Sequence, residues 1–168
     1  MGLKKSIAFV FFSLCMFRFV ANAQQSFDRA SFYDAMQSTD ANVIDAQLKI
    51  VDASLLKEKS AYDGALLMRK AGLAKGGADK LSLFKSGHKK LEAAIKKNNN
   101  DAELRFLRLM IQEHAPGILG YKNDLHQDAD LIKKYYKDLP EIVQQAIGNY
   151  SRQSKILKLA DFNPAKNE

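Results

Sequence analysis

Apolar residues along the chain recur at intervals of three and four, and no stretch alternates with period two or strings β-branched residues between turns. The clearest stripe is Leu81, Phe84, His88, Leu91 and Ile95, which predicts a helix over about 80–97 with Lys85, Lys89, Lys90, Lys96 and Lys97 facing water. Gly76 and Gly77 separate it from a helix over about 58–74 carrying Tyr62, Leu66, Met68 and Leu73. Asn100 followed by Glu103 reads as a capping box opening a helix over 101–113. Pro116, Gly117 and Gly120 force a loop over 114–123, and a helix over about 124–137 follows, with Leu125, Ala129, Ile132 and Tyr136 on one side. Asp138 followed by Glu141, with Pro140 in the first turn, opens a last helix over about 139–158. Two short helices, 27–37 and 40–51, stand at the front, broken near Ser38 and Thr39. The expected fold is all-α, an irregular bundle of about seven antiparallel helices.

The segment over 101–113 differs from the rest. Leu104, Phe106, Leu107, Leu109, Met110 and Ile111 cover well over half of its circumference, leaving a narrow stripe of Asp101, Arg105, Arg108 and Gln112. A helix that apolar packs on several sides and belongs at the centre of the fold. Its stripe faces either solvent or a lined groove; if it only holds the fold, Arg105 pairs with Asp101 and Arg108 with Gln112 or an acid of another helix.

Residues 1–23 have a different character. Lys4 and Lys5 precede an apolar run from Ile7 to Phe17, too short to span a bilayer, and Ala21-Asn22-Ala23 provides small residues for cleavage before Gln24. This is the pattern of a secretory signal peptide. It places residues 24–160 in one exported domain, periplasmic or secreted, with a flexible tail over 161–168. Cys15, the chain's one cysteine, leaves with the signal, so disulfides, thiolate nucleophiles and zinc–cysteine sites are excluded from the mature domain. Loss of Lys4, Lys5 and Arg18 takes the formal charge from +7 to +4. A mild excess on an exported protein points to acidic partners or anionic envelope surfaces and away from nucleic acid.

The run Leu91-Glu92-Ala93-Ala94-Ile95-Lys96-Lys97-Asn98-Asn99-Asn100-Asp101-Ala102-Glu103 resembles the junction between two tetratricopeptide repeats, and Gly87 stands where that family has a small residue so that two helices approach closely. Asn99 replaces the family's usual proline, and no second copy appears at a 34-residue period, so the resemblance implies one tetratricopeptide-like helix pair rather than an array. More broadly, the chain resembles short exported helical proteins of Bacteroidota envelopes, a likeness that implies compartment and fold without catalytic residues.

Candidate chemistry is sparse. His88 lies on an apolar stripe and His114 at a helix end, where a cation complements the dipole. Asp124, His126, Asp128 and Asp130 have a metal-like composition, but on a helix they form two pairs that point apart, so they read as first-turn acids. Gly72, Gly76 and Gly77 lack the Lys-Ser/Thr ending of a phosphate loop. No catalytic, cofactor or metal residues are assigned. The expected binding residues are Arg105, Arg108 and Gln112 on the polar stripe, where arginine suits a carboxylate or phosphate, and Tyr121 on the loop. The expected function is a non-enzymatic interaction module for a protein or peptide of the envelope. The alternatives are association with anionic polymer or lipid through the lysines of 85–97 and 133–137, or an enzyme of unrecognised helical type.

Overall fold

Three of the helices start on an aspartate whose carboxylate accepts backbone N–H groups of the first turn. Asp28 accepts from Ser31, Asp40 from Asn42, and Asp101 from both Glu103 and Leu104 at 3.0 and 3.1 Å. In the computed structural model, which describes residues 26–162, these caps open α1 (Arg29–Gln37), α2 (Ala41–Ala53) and α5 (Ala102–His114). The others are α3 (Lys59–Leu73), α4 (Gly77–Lys97), α6 (Leu125–Tyr135) and α7 (Glu141–Ser151), with 3₁₀ turns at Gly117–Leu119, Tyr136–Asp138 and Leu159–Asp161. The described residues contain no strand, and the fold is all-α. The expected signal segment, 1–23, lies outside the described residues.

Helix α5 is the axis of the core: every residue from Ala102 to Gln112 is buried. It packs on α3, α4 and α6, as its apolar excess requires. Around it Phe32 and Tyr62 meet edge to face with centroids 4.9 Å apart, and Phe106 bridges Tyr33 at 5.6 Å to Tyr150 at 5.7 Å. Helices α3 and α4 approach most closely at two glycines. A methyl group on Gly64 would stand 2.7 Å from the Gly87 carbonyl oxygen, and one on Gly87 would stand 2.5 Å from the Gly64 carbonyl oxygen. Asp63–Lys90, between these two helices, and Asp45–Lys70, between α2 and α3, are ion-paired.

Several boundaries differ from the sequence reading. The cap of α5 is Asp101 and not Asn100, and Glu103 does not close a capping box, because its carboxylate is turned inward. Helix α4 begins at Gly77 rather than near residue 80. Asp138 does not open α7; it ends a 3₁₀ turn, and Pro140, extended and lacking an N–H, precedes the first helical residue. Helix α7 stops at Ser151 rather than 158 because Glu113 captures the next segment, accepting from the Ser154 hydroxyl at 2.6 Å and the Lys155 N–H at 2.8 Å. The turn this makes sends Leu157 fully into the core. Asp161 and Phe162, at the head of the expected tail, are held: Asp161 pairs with Lys133 at 3.1 Å, and Phe162 is buried against the Tyr136 ring at 4.6 Å.

Inside the fold Glu103 accepts three donors, the Tyr62 hydroxyl at 2.7 Å, the Tyr33 hydroxyl at 3.1 Å and Arg29 Nε at 3.1 Å. Burial, reinforced by the neighbouring carboxylates Glu103, Glu92 and Glu113, pushes the hydroxyls of Tyr33, Tyr62, Tyr121 and Tyr150 above the ordinary tyrosine value. A group raised in the folded state keeps its proton longer folded than unfolded. The stability it contributes is therefore complete below the ordinary value of 10.0 and is lost as pH rises beyond it. Tyrosinate absorbance should accordingly show Tyr33, Tyr62, Tyr121 and Tyr150 ionising together with loss of helical circular dichroism. Ionisation of all six tyrosines below the unfolding pH would contradict this packing.

Candidate functional site

The polar stripe of α5 faces α6 rather than an open groove. Asp128 on α6 is wholly buried, and its Oδ1 accepts from Arg108 Nη2 at 2.7 Å and Arg105 Nη1 at 3.1 Å, while its Oδ2 accepts from Arg108 Nε at 2.7 Å. Arg108 Nη1 continues to Glu92 of α4 at 2.9 Å and to Asp124 at 3.4 Å. Arg105 Nε and Nη2 both reach the Asn99 carbonyl, at 3.0 and 2.7 Å. Every nitrogen of both guanidiniums is engaged, and their side chains are 10% and 5% exposed. Burial alone would lower the Arg108 guanidinium, but the carboxylates of Asp128, Glu92 and Asp124 outweigh it and hold the group above its ordinary range.

The four residues expected to meet a partner are thus built into the interior. Tyr121, expected on an exposed loop, is 8% exposed; its hydroxyl donates to Glu92 at 2.5 Å and its ring meets His88 at 4.8 Å. Gln112 is entirely buried, and its amide nitrogen and oxygen have no hydrogen-bond partner among the described residues. An amide buried without partners costs about 1–3 kcal/mol. Gln112→Met, similar in length and free of strong polar groups, should therefore raise the urea midpoint by an amount equivalent to about 1 kcal/mol. A lowered midpoint would show that this amide is satisfied in solution.

The acids and histidines with metal-like spacing are dispersed. Asp128 is taken by the arginines, Asp130 and His126 are exposed, and no group of three or more His, Cys, Asp or Glu side chains among the described residues is arranged to hold a metal ion. His88 stacks on Phe84 with centroids 6.0 Å apart at the edge of the core, and His114 ends α5 in its last turn.

A concave feature of the surface lies on the other side of α5. A cleft of about 680 Å³ opens between α1, α3, α4 and α5, and the Gly117–Leu119 turn and Tyr150 also line it. Met36, Met68 and Met110 line its floor, each from a different helix and each no more than 5% exposed. They are the only methionines of the chain after residue 16. Leu81, Ile118 and Leu119 stand at the mouth, 46%, 95% and 37% exposed. Gly120, with φ of 60°, adopts the left-handed conformation that ends the turn carrying Ile118 and Leu119. The ionisable side chains on the lining, apart from Tyr150, are Arg69, Lys80 and His114, and no aspartate or glutamate lines the cleft.

The lysines of α4 after residue 80 lie away from the cleft. Lys85, Lys89, Lys96 and Lys97 are exposed, and Lys90 pairs with Asp63. No helix of the described residues is long and apolar enough to cross a membrane. Comparison with protein-family models, curated proteins and solved structures yields no match.

Proposed function

We propose that this chain is an exported, non-enzymatic helical interaction module that receives an apolar segment of a protein or peptide partner in the cell envelope. Helices α4 and α5, whose junction resembles that between tetratricopeptide repeats, both contribute to the lining of the receiving cleft. The observation that carries the reading is the convergence of Met36, Met68 and Met110 on one floor beneath the exposed Leu81, Ile118 and Leu119. Methionine is flexible and polarisable and suits a surface that adapts to an apolar guest. A cleft of this size accepts a few large side chains, the scale of helix-in-groove recognition. The lining brings together no carboxylate pair and no nucleophile with a neighbouring base, which favours binding over chemistry.

Ile118→Asp combined with Leu81→Asp tests this without disturbing the core, because both side chains already stand in solvent. Cross-linking of the tagged protein in its own cells, followed by mass spectrometry, should show a discrete partner reduced about tenfold or more in this variant, with helicity and melting unchanged. The same experiment reports the new N-terminus, expected at Gln24. A partner retained by the variant but lost on replacing Lys85, Lys89, Lys96 and Lys97 would move the function to the lysine face.

A further inference from the structure

The cleft carries a charge pattern as well as an apolar one. Its Arg69 and Lys80 face no acid: among the described residues neither makes an ion pair, and no carboxylate lines the cavity. Arg69 is unlike the other arginines that the fold covers wholly or in part. Arg29, Arg105 and Arg108 each hold a carboxylate, whereas Arg69 donates from Nη2 to the Ser38 carbonyl at 2.6 Å and leaves its buried Nε without a partner. Its Nη1 lies beside Gly72, which also lines the cleft; a methyl group there would stand in ordinary contact with it, 3.9 Å away. Burial lowers the Arg69 guanidinium from its ordinary range, and no charge in the fold opposes that shift. A carboxylate arriving at the cleft would supply the missing counter-charge in a partly desolvated setting, where arginine–carboxylate hydrogen bonds are strongest.

We infer that the cleft selects an acidic amphipathic peptide segment, its apolar side chains on the methionine floor and a glutamate or aspartate against Arg69 and Lys80. The inference rests on the binding-module reading and names the partner's chemistry. The exposed mouth at Ile118 and Leu81 extends the apolar contact beyond the cavity, which suits a peptide helix with anchors three and four residues apart.

The probe is a pair of short dye-labelled helical peptides with identical leucines at that spacing, one with glutamates and one with lysines on the polar positions. Fluorescence anisotropy with the purified protein at low salt should give at least about tenfold tighter binding of the glutamate peptide. Arg69→Gln and, separately, Lys80→Gln should each weaken that peptide several-fold and leave the lysine peptide unchanged; Lys80 is exposed, so its variant does not depend on the fold tolerating the change. Lys89→Gln with Lys96→Gln, away from the cleft, should change neither. Equal affinity for the two peptides would overturn the acid preference while leaving the apolar cleft standing. Binding of neither peptide would overturn both readings. Equal weakening by the Lys89/Lys96 pair would show that general positive charge, and not this site, draws the acidic peptide.

Discussion

Asp128→Ala is expected to destabilise the protein by about 3–5 kcal/mol, the cost of breaking a buried ion pair by removing one partner. The carboxylate is fully covered and takes three hydrogen bonds from two guanidiniums that are themselves almost covered. Without it Arg105 and Arg108 stay on α5, packed against α6, with the partly exposed Glu92 and Asp124 as remaining counter-charges. Asp128→Asn retains the shape but loses the charge and one acceptor, so it should fall between alanine and the native residue. Urea unfolding followed by circular dichroism measures both. A loss below about 1 kcal/mol for alanine, the range of an exposed pair, would mean that the cluster is solvated and that the α5 stripe is open after all.

Gly87→Ala is expected to cost about 3 kcal/mol, the upper range for an added methyl group in a packed interior. The methyl would meet the Gly64 carbonyl oxygen at 2.5 Å and the Met68 backbone nitrogen at 3.0 Å, and neither atom moves without moving α3. Met68 Cγ, at 2.6 Å, would also be displaced, and that side chain belongs to the cleft floor. The variant should therefore lower the thermal midpoint and also weaken capture of the partner. Alanine is the better helix former by about 1 kcal/mol, so a neutral or stabilising result would show that the two backbones are further apart than described.

Much of this was legible in the amino-acid order. The excess of large apolar residues on 101–113 marked the central helix, whereas the caps are misread: the spacing points to Asn100 and Asp138, and the aspartates that cap α1, α2 and α5 are Asp28, Asp40 and Asp101. Gly87 was legible as a close-approach residue, but its counterpart was not: Gly64 lies on another helix, and periodicity within one helix says nothing about which face of its neighbour it meets.

The same limit explains the misplaced site. Arg105 and Arg108 are equally compatible with a solvent groove and with a buried acid until the identity of the facing helix is known. One signal pointed to the acid. Asp128 falls on the apolar side of its own helix, three residues after Leu125 and four before Ile132, where a carboxylate needs a cation. Two arginines on an otherwise apolar helix are its natural complement. The cleft left no comparable trace, because Met36, Met68 and Met110 come from three helices and share no spacing. Arg69 carries no such signal in the sequence, where nothing beside it in the chain marks it as lining a cleft.

The α5 stripe holds the fold, and the methionine-floored cleft is the proposed partner surface. Site-specific photo-cross-linking in cells separates those roles most directly. A photoreactive amino acid is placed at position 118 on the cleft mouth or at position 89 on the lysine face, both exposed in the folded chain. A discrete protein adduct is expected from position 118 and none from position 89. Adducts from position 89, with none from position 118, would contradict that assignment and place the contact surface on α4.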